Sequence, residues 1–422
     1  MGKVEVAVLR AQSELKIIPE TDLKNLEKVV KDNVDLRKMK EIEKETHHDL
    51  MAFIRTVDGQ TKGEYTYLHF GVTSNDINDT ATALQLREFY VYLENDLKKM
   101  LVTISGLVKR YESTIMLGRT HGQHASPITF GLKLSTYLSE FVRHTQRFHE
   151  SKRRILVGKA LGPVGTAGSM GSVGLKVSKR AMELLGLESE IATNQLVSRD
   201  RYIEYLSILA NIAVTCDKIG TEIRNLQRPE IGEVMEFFDT KKQVGSSSMP
   251  SKRNPIESEN VCSLSRMIRS MVTPEMEAAV TWHERDLTNS ALERFTIPYS
   301  SILTDYILVK LERILSNLWV DKEKMKKNLE NSPLCISERL TSELTNRNVS
   351  RQEAHEIVRK ISMEYYNNNE DLFNIIKSSS FGKLFTETQI KDIMDPEKFL
   401  GSSVEICHET IKMAEKIIEV IK

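Results

Sequence analysis

Residues Ala83–Val108 read ALQLREFYVYLENDLKKMLVTISGLV, and their spacing decides the fold class. Leu86, Phe89/Tyr90, Leu93, Leu97, Met100/Leu101, Ile104 and Leu107/Val108 recur at steps of three and four, as on one face of an α-helix. No proline falls between Pro19 and Pro127, where one inside a helix would remove a hydrogen bond and clash with the preceding turn. The pattern returns at Ile203, Leu206, Leu209/Ala210, Ala213, Cys216, Ile219/Gly220, Ile223 and Leu226, and again from Ile302 to Leu318. Each stretch outruns the average helix of about 11–12 residues. Proline is also absent between Pro163 and Pro229 and between Pro333 and Pro396. Period-two alternation bounded by turn residues is scarce, so an all-α fold is expected.

Several of these helices are apolar around more than half their circumference. A single small bundle would leave part of that surface wet, so partner helices are expected to cover it and the chain is expected to be a homo-oligomer.

Glycines and prolines mark the breaks. Six of the twenty glycines fall in Gly158–Gly174 (GKALGPVGTAGSMGSVG), which reads as a loop and lacks the ending of a phosphate-binding P-loop. Gln243–Pro255 and Gly118–Gly131 are two further breaks. Division near residues 72 and 320 gives an N-terminal helical domain (1–72), a central long-helix domain (73–320) and a C-terminal helical domain (321–422).

The 422 residues carry 59 Lys+Arg against 59 Asp+Glu, a balance that disfavours bulk attraction to nucleic acid or an acidic membrane. Neither is expected as a partner. Four dispersed cysteines (Cys216, Cys262, Cys335, Cys407) suit reduced thiols rather than a disulfide framework. The opening MGKVEVAVLRAQ has no apolar signal-peptide region, and the longest uncharged apolar stretch, Tyr205 to Cys216, falls short of the roughly 20 residues of a membrane span. A cytoplasmic protein is expected.

Histidine is the natural proton-transfer group near neutral pH. His48, His69, His121, His124 and His283 stand in polar or turn-rich contexts, and His121 stands between Thr120 and Gly122 in GRTHGQHASP. Zinc is not expected at His121 and His124, which are i,i+3 with no HExxH pattern and no cysteine near. Neither a metal nor a cofactor is expected. Gly245–Pro255 (GSSSMPSKRNP) gathers four hydroxyls, two cations and an amide in eleven residues. Such a group can bind a carboxylate and stabilise negative charge that grows on it. A serine acting as base would need neighbours that hold its alkoxide. Composition alone leads no further than an anion-binding loop.

That loop resembles the GSSxMPxKxNP signature of the fumarase/aspartase superfamily. His69–Ala81 (HFGVTSNDINDTA) resembles the superfamily's first block, and Gly118–Gly131 (GRTHGQHASPITFG) its second. The resemblance implies three helical domains and a homotetramer whose central domains share one bundle, with active sites where subunits meet. Within the superfamily the chain resembles the adenylosuccinate lyases, through the wording of the second block and through Trp282–Asp286 continuing to Ser290 and Arg294. His47-His48-Asp49 is similar to that family's Arg-His-Asp nucleotide contact, with His47 in the arginine's place.

The resemblance implies β-elimination of fumarate from a nitrogen leaving group. Ser246 is implied as the base, although Ser246, Ser247 and Ser248 are consecutive, and His121 as the acid. Lys252 and Asn254 would hold the aci-carboxylate, while Thr73, Ser74 and Gln195 would hold the succinyl carboxylates. Arg285, Ser290 and Arg294 would bind phosphate, His48 and Asp49 the nucleotide, and His69 and Glu259 would orient the other groups. Small nucleotides are the implied substrates: adenylosuccinate, and the succinylated aminoimidazole carboxamide ribotide of purine biosynthesis.

The sequence departs from the family's pattern in two places. No equivalent of the family's early Arg-Tyr pair is present, and the C-terminal segment drifts while keeping SRQEAHEIVRK at Ser350–Lys360. Argininosuccinate lyase and carboxymuconate cycloisomerase are related alternatives. His121 speaks against the cycloisomerases, and the Arg285/Ser290/Arg294 set favours a phosphate-bearing substrate. A non-catalytic, crystallin-like use of the fold is disfavoured because Ser246, His121, Lys252 and Asn254 are all intact.

Overall fold

The computed structural model describes residues 1–32, 34–239, 241–368 and 370–421. Helix accounts for 67% of it and strand for 5%, so the fold is all-α. Helices α1 (Gly2–Glu14), α2 (Lys24–Asp32), α3 (Leu36–Thr46) and α4 (Asp49–Gln60) precede the 37-residue α5 (Ser74–Arg110). Strands β1 (Ile115–Thr120) and β2 (Gln123–Thr129) form a hairpin that leads into α6 (Phe130–Ile155). Next come β3 (Val157–Gly158), α7 (Gly174–Leu185), β4 (Glu188–Ser189) and α8 (Asp200–Leu226). They are followed by β5 (Val234–Met235), α9 (Ile256–Ser270), α10 (Val272–Ala278), α11 (Thr288–Ser316) and β6 (Trp319–Val320). The chain finishes with α12 (Lys322–Glu330), α13 (Ser337–Asn346), α14 (Arg351–Asn368), α15 (Leu372–Ser378), α16 (Glu387–Met394) and α17 (Ser403–Val420).

Contacts divide the chain into two compact units. The first comprises Met1–Asn95, Gln146–Ala213 and Arg266–Asp305. Its core packs Val4 and Val8 of α1, Leu26 of α2, Leu50 and Val57 of α4, Ile77 of α5, and Val177 and Ala181 of α7. Tyr90 of α5 stacks on Phe148 of α6 with ring centroids 4.1 Å apart, and its hydroxyl lies 2.6 Å from Ser151 Oγ. Such an aromatic pair adds about 0.5–1.5 kcal/mol beyond the area it buries. Asp76 orders the start of α5 and the glycine-rich loop together. Its carboxylate accepts from the Thr73 N–H (2.9 Å), which is one half of a capping box, and from the Gly162 N–H (2.8 Å). It also pairs with the fully buried Lys159 ammonium. Removing either member of such a pair strands a buried charge, at a cost of about 3–5 kcal/mol.

The second unit comprises Asp96–Thr145, Val214–Ser265 and Tyr306–Lys422. One of its cores is built from the C-terminal helices, with Leu329, Leu340, Leu344, Ile361, Ile375, Ile376 and Ile390 buried. Phe381 and Phe385 stack beside them with centroids 4.4 Å apart. The β1–β2 hairpin is also in this unit, where the sequence suggested only a break. Its pairing slips between Leu117 and Arg119, at Gly118, where a Cβ would stand 2.5 Å from the Ser126 carbonyl oxygen.

Two helices depart from the spacing argument. α11 begins at Thr288 rather than near Ile302 and runs through Pro298. Its Phe295, Tyr299, Ile302, Tyr306 and Val309 are all exposed, at alternating steps of four and three. Within α5, Val91, Tyr92 and Val102 are likewise exposed. Among the described residues no helix is long and apolar enough to cross a membrane.

Candidate active site

The first unit holds a cavity of about 1050 Å³ whose wall is assembled from four separated stretches of chain. At the α3–α4 turn, His47 closes α3 in the left-handed conformation (φ 51°) and His48 opens α4. His48 Nδ1 accepts from the Met51 N–H at 3.3 Å, so in the neutral ring Nε2 carries the proton and is a donor. Asp49 is the next residue and also lines the cavity, as does Ser74 at the first turn of α5.

Gln195 and Arg285 meet in the same wall. Arg285 donates to Gln195 Oε1 at 2.9 Å and to Asn75 Oδ1 at 2.6 Å, while its Nε is buried with no partner. Among the described residues no carboxylate forms an ion pair with this guanidinium, and burial pulls its pKa below the usual arginine range. A partly desolvated cation with an unused donor is a strong anion receptor. Ser290 and Arg294 stand four apart near the start of α11, where the helix dipole also favours negative charge. Beneath them Arg199 is clamped between two carboxylates, with Nη1 at 2.7 Å from Asp79 and Nε at 2.8 Å from Glu293.

Of the residues expected from the sequence, His48, Asp49, Ser74, Gln195, Arg285, Ser290 and Arg294 thus line one cavity. Thr73 precedes Ser74 at the helix start without lining it. His69, at φ 65°, is tied to α1 by a 2.8 Å contact of its Nδ1 with Glu5 Oε1.

The other expected residues belong to the second unit. His121 and Gly122 are the two-residue turn of the β1–β2 hairpin, both with positive φ (53° and 73°), and His121 is exposed. A two-residue turn with both φ positive matches the right-handed twist of the flanking strands. Ser246 Oγ accepts the N–H groups of Ser248 (3.3 Å) and Met249 (3.2 Å), whereas Ser247 and Ser248 are exposed. The signature loop is pinched at its base. Asn254 Nδ2 donates to the Gly245 carbonyl at 3.0 Å, and a Cβ on Gly245 would lie 1.9 Å from the Lys252 carbonyl oxygen. Gln227 staples the same base, accepting from the Glu236 N–H (3.1 Å) and donating to the Arg253 carbonyl (3.0 Å). Lys252 is exposed at the loop's edge, and Glu259 is exposed in the first turn of α9.

Sequence reasoning missed Asn75, Asn78, Arg199 and Glu293 in the first unit and Glu233 in the second. Asn75 and Asp79 lie four apart in the quoted NDINDT stretch, as do Asn289 and Glu293 further on, a spacing that places each pair on one helix face. Arg199 and Glu233 carry no such signal. Among the described residues no cluster of His, Cys, Asp and Glu could hold a metal ion.

Comparison with known proteins shows the family. The family described as Lyase matches residues 1–270, and the adenylosuccinate lyase C-terminus matches residues 333–410. The adenylosuccinate lyase of Archaeoglobus fulgidus is 41% identical over 99% of this chain and 94% of its own. That of Methanocaldococcus jannaschii is 42% identical over 98% of this chain and 90% of its own. Among solved structures, a fumarate lyase from Mesorhizobium sp. BNC1 superposes with a TM-score of 0.88 at 27% identity, covering 97% of this chain and 94% of that one. A 3-carboxy-cis,cis-muconate lactonizing enzyme from Pseudomonas putida does so at 0.87 and 25% identity, covering 99% and 94%. With both family matches and full-length relatives in agreement, the chain belongs to the adenylosuccinate lyase family of the fumarate lyase superfamily.

Proposed function

We infer that this chain splits adenylosuccinate into AMP and fumarate, and treats the succinylated aminoimidazole carboxamide ribotide in the same way to give the free carboxamide and fumarate. What carries the inference is the cavity of the first unit, where His48, Asp49, Ser74, Gln195, Arg285, Ser290 and Arg294 converge. It offers a half-buried guanidinium with an unused Nε–H, a second arginine and a helix N-terminus to a phosphate, with a histidine donor beside an aspartate for the nucleotide. Thr73, Ser74 and Gln195 hold the succinyl carboxylates, and His69 is an orienting group.

The reaction is a β-elimination. Ser246 removes the proton from the carbon next to a carboxylate, and the electron pair moves into that carboxylate to form the aci-anion. Lys252 and Asn254 stabilise this anion. The pair then returns to form the double bond of fumarate, the carbon–nitrogen bond breaks, and His121 gives its proton to the departing nitrogen. Glu259 orients the catalytic groups. The two backbone N–H groups aimed at Ser246 Oγ favour its alkoxide, and so support Ser246 over its two neighbours as base.

The assembly is a homotetramer with active sites at subunit interfaces, acting in the cytoplasm, with the chain apportioned as 1–72, 73–320 and 321–422. The exposed stripe of α11 supports this, because steps of four and three are those of a helix seam packed against partner helices.

Purified protein mixed with adenylosuccinate is expected to change the ultraviolet absorbance as the purine becomes AMP, and an unchanged spectrum would rule the activity out. Ser246→Ala and His121→Ala should each cut turnover by about 10²–10⁴-fold, the usual worth of one proton-transfer group. Full turnover in either variant removes that residue from the mechanism.

A further inference from the structure

The hairpin that carries His121 is held by something besides its own ladder. Its register slips at Gly118, so the tip, Arg119 to His124, lies beyond an irregularity that weakens the ladder's control over where the tip points. Arg119 and His124 are paired across the tip, one on each strand, one step outside the Thr120–Gln123 pair that closes the turn. Each is tied down by its side chain.

Arg119 forks onto Glu233, with Nη1 2.9 Å from Oε2 and Nη2 2.7 Å from Oε1. Glu233 is fully buried. Its Oε1 also accepts from Asn328 Nδ2 at 2.8 Å, on α12. The Asn328 carbonyl accepts from Ser332 Oγ at 2.9 Å, and Ser332 Oγ lies 2.7 Å from His124 Nδ1. Proton bookkeeping fixes the last link. Serine has one hydroxyl proton and a carbonyl oxygen can only accept, so that proton goes to Asn328 and His124 Nδ1 must donate to Ser332. The path therefore runs without a gap from one strand of the tip, through a buried carboxylate and one helix, to the other strand.

We propose that Arg119, Glu233, Asn328, Ser332 and His124 form a clamp that sets the position of the His121 imidazole, and that all five are positioning residues for proton delivery to the leaving nitrogen. The proposal rests on His121 being the acid. A bidentate pair on one strand and a histidine of fixed tautomer on the other restrain the tip against rocking in both directions. A single tether would leave one of those directions free.

The test uses the assembled enzyme. Arg119→Lys keeps the charge and loses the fork, and Ser332→Ala removes the acceptor of His124. Each is expected to lower kcat on the order of 10–100-fold, as small misplacements of a reacting group do, while KM for adenylosuccinate stays at the wild-type value. The double variant should cost about as much as the worse single one, because the clamp acts as a unit. Wild-type kcat in both single variants, or losses that multiply in the double, would overturn the clamp. So would a change confined to KM. His121→Ala, measured alongside, separates the two claims. If it is inactive while the clamp variants are normal, only the clamp falls; if it is fully active, the assignment of His121 falls and the clamp with it.

Discussion

Glu275 of α10 is a buried carboxyl that the fold holds protonated well above the usual carboxylate range. Burial pushes its pKa up to about 7, the Glu293 carboxylate adds to the rise, and Thr296 Oγ1 opposes it by donating at 2.6 Å. The folded chain thus holds a proton that an unfolded glutamate releases at about 4.5. The stabilisation is complete below 4.5 and is lost as the pH rises through about 7, to a total of at most about 3 kcal/mol. Glu275→Gln should therefore melt above the wild type at pH 8, with the gap closing towards pH 4.5; a gap that does not vary with pH would contradict the shift. Left-handed backbone is a second residue-scale feature. Four of the ten histidines, His47, His69, His121 and His283, have positive φ. Such geometry costs about 1–3 kcal/mol for a residue with a Cβ and persists only where the surroundings impose it. All four stand in segments that resemble the family's functional motifs.

At the scale of elements, the signature loop is a closed structure with a narrow base. Gly245→Ala would drive a methyl group into the Lys252 carbonyl and force the base open. kcat should fall by about 100-fold or more while AMP still binds as an inhibitor, since the loop's groups are assigned to the carbon acid and not to the phosphate. Equal loss of turnover and AMP binding would show that the damage had spread beyond the loop. The long helices were legible because their apolar residues repeat over many turns: the spacing from Ala83 to Val108 falls wholly within α5, and that from Ile203 to Leu226 within α8. The hairpin was not, because the slip at Gly118 breaks its alternation and a His-Gly turn is not a usual hairpin signal. The front half of α11 was hidden by Pro298, which reads as a boundary when only the sequence is in hand. Site residues were legible where a local motif carries them. Glu233 and Arg199 act through partners more than ninety residues away in sequence, and no local pattern announces such a pairing.

At the scale of the whole molecule, the exposed stripe of α11 is where the proposed assembly can be challenged. Ile302→Glu puts a charge on a residue that is 65% exposed in the single chain. The protomer should keep its helical circular dichroism, while light scattering shows a species smaller than the tetramer and activity is lost with it. A tetramer of undiminished activity would place the interface elsewhere. The same stripe bears on how the protein survives in solution. With a formal net charge of zero and a pI near 7.2, a free protomer at neutral pH has almost no mutual repulsion to keep its apolar seam away from another copy's. The proposed assembly would then also be a colloidal safeguard: dilution or slow association would leave the chain open to precipitation as well as inactive, and a shift of pH away from neutrality would restore the repulsion that the composition omits.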